Sequence, residues 1–239
     1  MKKEVGLFRP LRFDQLDLAA SLLSNYELND AFEIMNEKLS NELKGNVGRR
    51  KVINNITRVW SGGKKQPSNF QKNVLSRYCN ANHDSKIAYQ YLMTAIAFPF
   101  FRDTVNIVGK YLRMTGKISN AFLLKEMEDS YGSAESVYKG TNAVVRGLID
   151  WNLVDGMTEK GKLIEIDKLR ISDEFLKQLI VKVLMEHYNT EYIQLDQLNE
   201  DAIFFPFNYH LSESYFDNLT NYEVIDDHSG KYVHMIGQR

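Results

Sequence analysis

Cysteine occurs once, at Cys79, so the chain can close no internal disulfide and suits a reducing compartment. Long hydrophobic runs are missing too. The longest, residues 91–101, is interrupted by Pro99 and is about half the ~20 residues that a helix needs to cross a bilayer. It reads as a buried helix that ends near the proline. The N-terminal MKKEVGLFRPLRF carries no apolar stretch behind its lysines and so does not read as a signal peptide. Together these absences predict a cytoplasmic protein with no membrane partner.

Catalytic and metal-binding patterns are also scarce. His83, His187, His210, His228 and His234 do not pair at a metal-ligand spacing, and one cysteine cannot build a structural zinc site. Asp226-Asp227-His228 is the densest group of possible ligands, but Ser229-Gly230 behind it marks an exposed turn. Glu165-Ile166-Asp167-Lys168 lacks the glutamate-x-lysine order of nuclease sites. Gly62-Gly63-Lys64 lacks the spacing of a nucleotide-binding G-x-x-x-x-G-K-[ST] loop. There is no nucleophile elbow and no dinucleotide fingerprint. The expectation is a non-enzymatic protein without cofactor or metal.

What is present is an ordinary globular composition, 44% hydrophobic and 26% charged over 239 residues, with a net charge of −1. The total charge hides its distribution. Residues 43–83 contain no Asp or Glu, yet hold Lys44, Arg49, Arg50, Lys51, Arg58, Lys64, Lys65, Lys72 and Arg77. From Asp173 onward acidic residues dominate instead. Such asymmetry predicts either a basic face for nucleic acid beside an acidic region for another partner, or two segments that neutralise each other.

The pattern is mainly α. Residues 1–12 read as an extended lead-in. Two helices follow within 13–43, with Asp14 as the candidate cap of the first and Asn29 or Asp30 of the second. A basic helix over 49–60 turns Val52, Ile53, Ile56, Val59 and Trp60 inward and places arginines in its first turn, where the helix dipole prefers anions. After a Gly-Gly loop at 62–63, helices are predicted over 69–78, 85–98 and 102–112. This helical region, 1–115, precedes a central unit over 116–172 and an acidic helix-plus-hairpin region over 173–239.

The central unit reads as a winged helix-turn-helix. Ser119 caps a first helix, Gly132 ends it, and Ser133 caps a second. In that second helix Val137, Thr141, Val144, Val145, Leu148 and Trp151 form one apolar stripe. Tyr138, Lys139, Asn142 and Arg146 take the outer face, where such side chains reach phosphates or base edges. Strands over 153–155 and 162–166, joined by a loop with glycine at each end, form the wing and carry Lys160 and Lys162. The candidate DNA-binding residues are therefore Arg49, Arg50, Lys51, Arg58, Tyr138, Lys139, Asn142, Arg146, Lys160 and Lys162. Units of this shape also dock proteins, so an adaptor role stands as the alternative. After residue 172, Ser172 is the expected cap of a strongly patterned helix, and strands over 222–225 and 231–236 suggest a second, degenerate winged unit.

Three segments, GRRKVINNITRVW, AIAFPFFRDTVNIVGKYL and SYGSAESVYKGTNAVVRGLIDWNLV, give residues 13–173 a layout that resembles BrxA, the small helical DNA-binding component of BREX phage-exclusion systems. The resemblance implies a non-enzymatic double-stranded DNA binder within a bacterial defence complex. The acidic C-terminal part, which departs from that family, would then meet other proteins of the complex.

Overall fold

The computed structural model describes residues 4–64 and 66–236. Met1, Lys2 and Lys3 of the lead-in, Lys65 of the basic window and Arg239 lie outside the described residues. The fold is mainly helical: α1 (Phe13–Asn25), α2 (Leu28–Lys38), α3 (Asn46–Ser61), α4 (Asn69–Cys79), α5 (His83–Ala97) and α6 (Pro99–Thr115) precede strand β1 (Lys117–Ser119). Then come α7 (Asn120–Tyr131), α8 (Glu135–Asp150), β2 (Lys162–Ile164), β3 (Leu169–Arg170), α9 (Glu174–Tyr188) and β4 (Tyr192–Gln194). The chain continues with α10 (Leu195–Glu200), a 3₁₀ turn (Ala202–Phe204), β5 (Phe207–Asn208), α11 (Glu213–Phe216) and the hairpin β6 (Tyr222–Asp227) and β7 (Gly230–Met235).

Helix α5 is the hub. Every residue from Ile87 to Ala95 is buried, so beyond its exposed first turn the helix has no solvated face, as expected of one enclosed by protein. Helices α1, α3, α4, α6 and α9 surround it. Pro99 opens α6 at its first turn, where the missing N–H costs nothing. The proline thus both ends the hydrophobic run, as its position predicts, and starts the next helix.

The hydrophobic core is one cluster running from Val5 to Val233. At its centre Tyr91 donates to the carbonyl of Ile203 at 2.5 Å. Its ring lies edge-on to Phe101 and Phe207, with centroids 5.2 and 5.0 Å away. Desolvation holds its hydroxyl pKa well above the usual tyrosine value. Trp60 on α3 donates its indole N–H to the carbonyl of Leu16 at 3.0 Å, which fixes α3 against α1.

The described part of the lead-in, residues 4–12, forms neither helix nor strand, turns at Gly6 (φ 65°), where the N–H of Leu7 bonds to Val5, and packs along α8. Val5, Leu7 and Leu11 are buried, and the strip beneath them on α8 is built from Gly140, Ala143 and Gly147. These small residues let the backbone of the strap approach the helix. The strap then passes its first helix to an unexpected cap: Asp150, the last residue of α8, accepts the backbone N–H of Phe13 at 2.9 Å. Asp14 sits inside the first turn of α1 and is not the cap.

Other helix starts also shift. Glu27 precedes α2, so Asn29 and Asp30 are inside it. Ala134, not Ser133, precedes α8 and offers no side-chain bond. Asp173, not Ser172, caps α9 by accepting from Phe175 and Leu176; its carboxylate reaches two N–H groups where a hydroxyl one position earlier cannot. Ser119 caps α7 as predicted. Helix α3 begins at Asn46, so Arg49 and Arg50 fall beyond the first turn and largely escape the dipole penalty.

The predicted hairpin needs correction. Strand β2 pairs antiparallel with β1, Ile118 facing Leu163, a pairing partner that three residues of sequence cannot reveal. Of the expected first strand only Asp155 joins, as a single bridge to Ile164. Leu153 and Val154 are both buried because they complete the end of α8. The N–H of Leu153 bonds to Leu148, and Asn152 takes the left-handed conformation (φ 52°). In the C-terminal region a three-stranded antiparallel sheet has the order β4-β7-β6.

Three glycines test how tightly the elements meet. A Cβ on Gly109 of α6 would lie 2.0 Å from the carbonyl oxygen of Ala202, one on Gly140 would meet Val5 at 2.5 Å and Phe100 at 2.8 Å, and one on Gly147 would meet only Leu11 at 3.5 Å. Gly109→Ala should therefore cost about 3 kcal/mol or more and Gly140→Ala about 1–3 kcal/mol. Gly147→Ala should be neutral or gain up to about 1 kcal/mol of helix propensity. Chemical denaturation of the three variants should give that order; a stable Gly109→Ala would mean that α6 and the Ala202 turn are not in contact.

Candidate functional site

Burial of its apolar side turns the other face of α3 outward. Lys51 and Asn54 are exposed, Asn55 half-exposed. Burial of Val137, Thr141, Val144, Val145, Leu148 and Trp151 does the same for α8, leaving Tyr138, Lys139 and Arg146 in solvent and Asn142 partly so. The strap at Phe8-Arg9-Pro10 runs between these two faces, and three adjoining surface depressions share Arg9.

The largest, about 690 Å³, lies between the strap, Lys51, Asn54 and Asn55 of α3, and Glu135, Ser136 and Lys139 at the start of α8. The second, about 400 Å³, is lined by Arg9, Arg12, Lys44, Arg49 and Arg146 with Glu42. The third, about 210 Å³, lies between Phe8, Arg9 and Pro10 and the α8 residues Tyr138, Lys139, Asn142 and Arg146. Seven cationic side chains thus border one continuous face against the two carboxylates Glu42 and Glu135.

Several cations are already engaged. Lys139 pairs with Glu135 at 2.7 Å, an exposed i,i+4 contact on α8, and the same contact holds the Glu135 carboxyl below its usual range. Such pairs are weak and yield readily to another anion. Arg12 pairs with Glu42 at 3.1 Å. Arg49 bonds Asn36 and the carbonyl of Leu43, both at 2.7 Å, which ties the α2–α3 connection down. Among the described residues Arg9, Lys44, Lys51 and Arg146 form no ion pair.

The predicted site residues therefore divide. Arg49, Lys51, Tyr138, Lys139, Asn142 and Arg146 come together. Arg50 lies over the ring of Phe32 (5.7 Å) and Arg58 over that of Phe98 (4.8 Å), and neither lines the depressions. Lys160 is exposed and lines none of them. Lys162 is paired with Glu159 at 2.5 Å, and Lys117 reaches the same carboxylate at 2.9 Å. Sequence reasoning missed Arg9 and Arg12, and counted Lys44 in the basic window without naming it among the candidate DNA-binding residues. The visible sign was Arg9 and Arg12 standing among the apolar residues of the lead-in, an economical way to hold charge at the surface of a packed strap.

The basic and acidic segments do not cancel by pairing. No described lysine or arginine between Lys44 and Arg77 makes an ion pair, while the C-terminal acids pair locally, Glu174 with Lys177, Glu186 with Lys182 and Glu213 with Lys231. Asp227 in the hairpin turn accepts from the backbone and hydroxyl of Ser229, both at 2.7 Å, which agrees with a structural turn at 226–230. Among the described residues no helix is long and apolar enough to cross a membrane.

In comparisons with protein-family models, curated proteins and solved structures, nothing matches this chain. The site is therefore read from its own geometry.

That geometry separates two kinds of arginine. Arg49→Ala removes bonds that hold α2 to α3 and should lower the melting temperature measurably, by the equivalent of about 1–3 kcal/mol. Arg9→Ala and Arg146→Ala should leave it within about 0.5 kcal/mol of the parent. Calorimetry on the three variants checks this.

Proposed function

We propose that this chain is a non-enzymatic double-stranded DNA-binding protein. The observation that carries the reading is the joining of cations from three separate stretches, Arg9, Lys44/Lys51 and Lys139/Arg146, on one face where, among the described residues, Glu42 and Glu135 are the only carboxylates lining the depressions and only Lys139 of these five is paired. Regularly spaced phosphates are the ligand that such a row of mostly unpaired cations fits best, and phosphate neutralisation supplies most of the affinity of DNA-binding proteins.

In this reading the β1–α7–α8–β2 segment acts as a winged helix-turn-helix. Its support is the element order, the antiparallel β1–β2 pair and the Asp155–Ile164 bridge as the remnant of the wing. The outer stripe of α8, Tyr138, Lys139, Asn142 and Arg146, faces the groove, and Arg9 and Lys51 take phosphates beside it. Lys160 remains available to the backbone from the wing. The likeness of residues 13–173 to BrxA supports placing the protein in a BREX-like phage-defence system. A protein-adaptor role is favoured by a second observation, the acidic C-terminal region with its own sheet, whose surface would hold protein partners of such a complex.

Binding to a short duplex should weaken steeply with salt. Four to five neutralised phosphates correspond to a log–log slope of about −4, and each of Arg9→Ala, Lys51→Ala and Arg146→Ala should reduce that slope by about 1. Glu135→Gln, which frees Lys139, should tighten binding. Fluorescence anisotropy across a salt series reads all four; affinity independent of salt, or no binding at low ionic strength, refutes the reading.

A further inference from the structure

Two of the large apolar side chains left in solvent belong to this face. Phe8 is 46% and Tyr138 54% exposed, and both line the same 210 Å³ depression, together with Arg9, Lys139, Asn142 and Arg146. Single exposed aromatics are ordinary. Two rings in one recess rimmed by cations are a different composition, since rings cost free energy in water and phosphates do not need them.

The exposure of each ring is built in. The strap turns Val5, Leu7 and Leu11 into the core, and the intervening residues, Phe8 among them, must face outward. Tyr138 stands on the α8 stripe opposite the buried one and makes no hydrogen bond through its hydroxyl among the described residues. Neither ring packs on another aromatic ring there. Asn142 donates its amide to the carbonyl of Tyr138 at 3.0 Å, which leaves its side-chain oxygen to accept from a base amino group.

We propose that this recess receives unpaired bases, Phe8 and Tyr138 stacking on them while Arg9 and Arg146 hold the flanking phosphates. In a closed duplex the π-faces of the bases are spent on their neighbours. A fork, an overhang or an extruded base offers them, and aromatic platforms among cations are how proteins hold unstacked nucleotides. The inference rests on the DNA-binding reading and deepens it by naming the state of the DNA: the preferred ligand is a duplex that carries unpaired nucleotides.

The experiment compares a blunt duplex, a forked duplex of the same paired length and a single strand, with the full chain and with Phe8→Ala, Tyr138→Ala and Tyr138→Phe. The parent should bind the fork about tenfold or more tighter than the blunt duplex. Phe8→Ala and Tyr138→Ala should each lose about five- to a hundredfold on the fork, the range expected for one stacked base; Phe8→Ala, whose ring lies outside the groove-facing stripe of α8, should leave blunt-duplex affinity nearly unchanged. Tyr138→Phe should retain the preference. A 2-aminopurine in the unpaired arm should be quenched by the parent and not by Phe8→Ala; both substituted positions are exposed, and unchanged melting curves verify the fold. Equal affinity for fork and blunt duplex, or loss on both in Phe8→Ala, overturns the inference while leaving the phosphate-binding face intact. Absence of binding to all three ligands overturns both.

Discussion

The burial of α5 is the constraint on which the other elements depend. A helix enclosed by protein needs partners within the protein for its polar side chains, because an unpaired polar group in a dry interior costs more than its hydrogen bond would have contributed; on α5 Thr94 Oγ1 and Gln90 Oε1 go without among the described residues. The partners it finds come from far along the chain. Gln90 donates to Phe13 and to Tyr78, Tyr78 donates to Asp17, Tyr89 to Asp173 and Tyr91 to Ile203. Those bonds orient α1, α4, α9 and the 202–207 segment around a single axis. Asp173 serves twice, accepting from Tyr89 while it caps α9, so one carboxylate both starts α9 and ties it to α5.

The candidate site is a by-product of the same packing, placed at the edge of the core where α3 and α8 both turn outward. What sets its shape is the strap. Because Gly140 and Gly147 present no side chain, residues 5–11 lie against α8 at backbone distance, and Arg9 is carried between two helices that are far apart in sequence. A bulkier strip on α8 would lift the strap and separate the cations of α3 from those of α8. Small residues inside one helix thereby govern the charge geometry of the surface beside it.

This explains what could and could not be read from the chain. The stripe of α8 was legible because six buried positions follow one helical period, and the face opposite a buried stripe is exposed by necessity. The outward residues Tyr138, Lys139, Asn142 and Arg146 follow directly. Arg9 was not legible as a partner of Lys51 or Arg146, since a twelve-residue lead-in without regular structure has no period that names what it lies on. Lys162 failed for a different reason. Its distance from Glu159 depends on the turn between them, and composition alone cannot tell a free lysine from one paired with the same carboxylate that Lys117 reaches. Strand β1 was missed because three residues carry too little alternation, although Ile118 facing Leu163 is what closes that sheet.

The two halves invite a comparison that bears on what each can do. Helix α6, β1, α7, α8, the Asp155 bridge and β2 appear in one order; α9, β4, α10, α11, β6 and β7 repeat it, with β4 paired to β7 as β1 is to β2. In the first half the fourth element is a sixteen-residue helix, Glu135–Asp150, bearing cations along its exposed side. In the second it is four residues, Glu213–Phe216, whose first carboxylate is taken by Lys231. A helix of one turn cannot span a groove, and an acidic surface is repelled by phosphate. Instead the second half grows its hairpin to six residues on each strand, and its outer face carries Tyr192 stacked on His234 at 4.1 Å, with Glu223 at 2.6 Å from that imidazole. Length and charge thus distinguish the two: the first has a long helix with cations along its exposed side, the second a single turn that opens on a carboxylate.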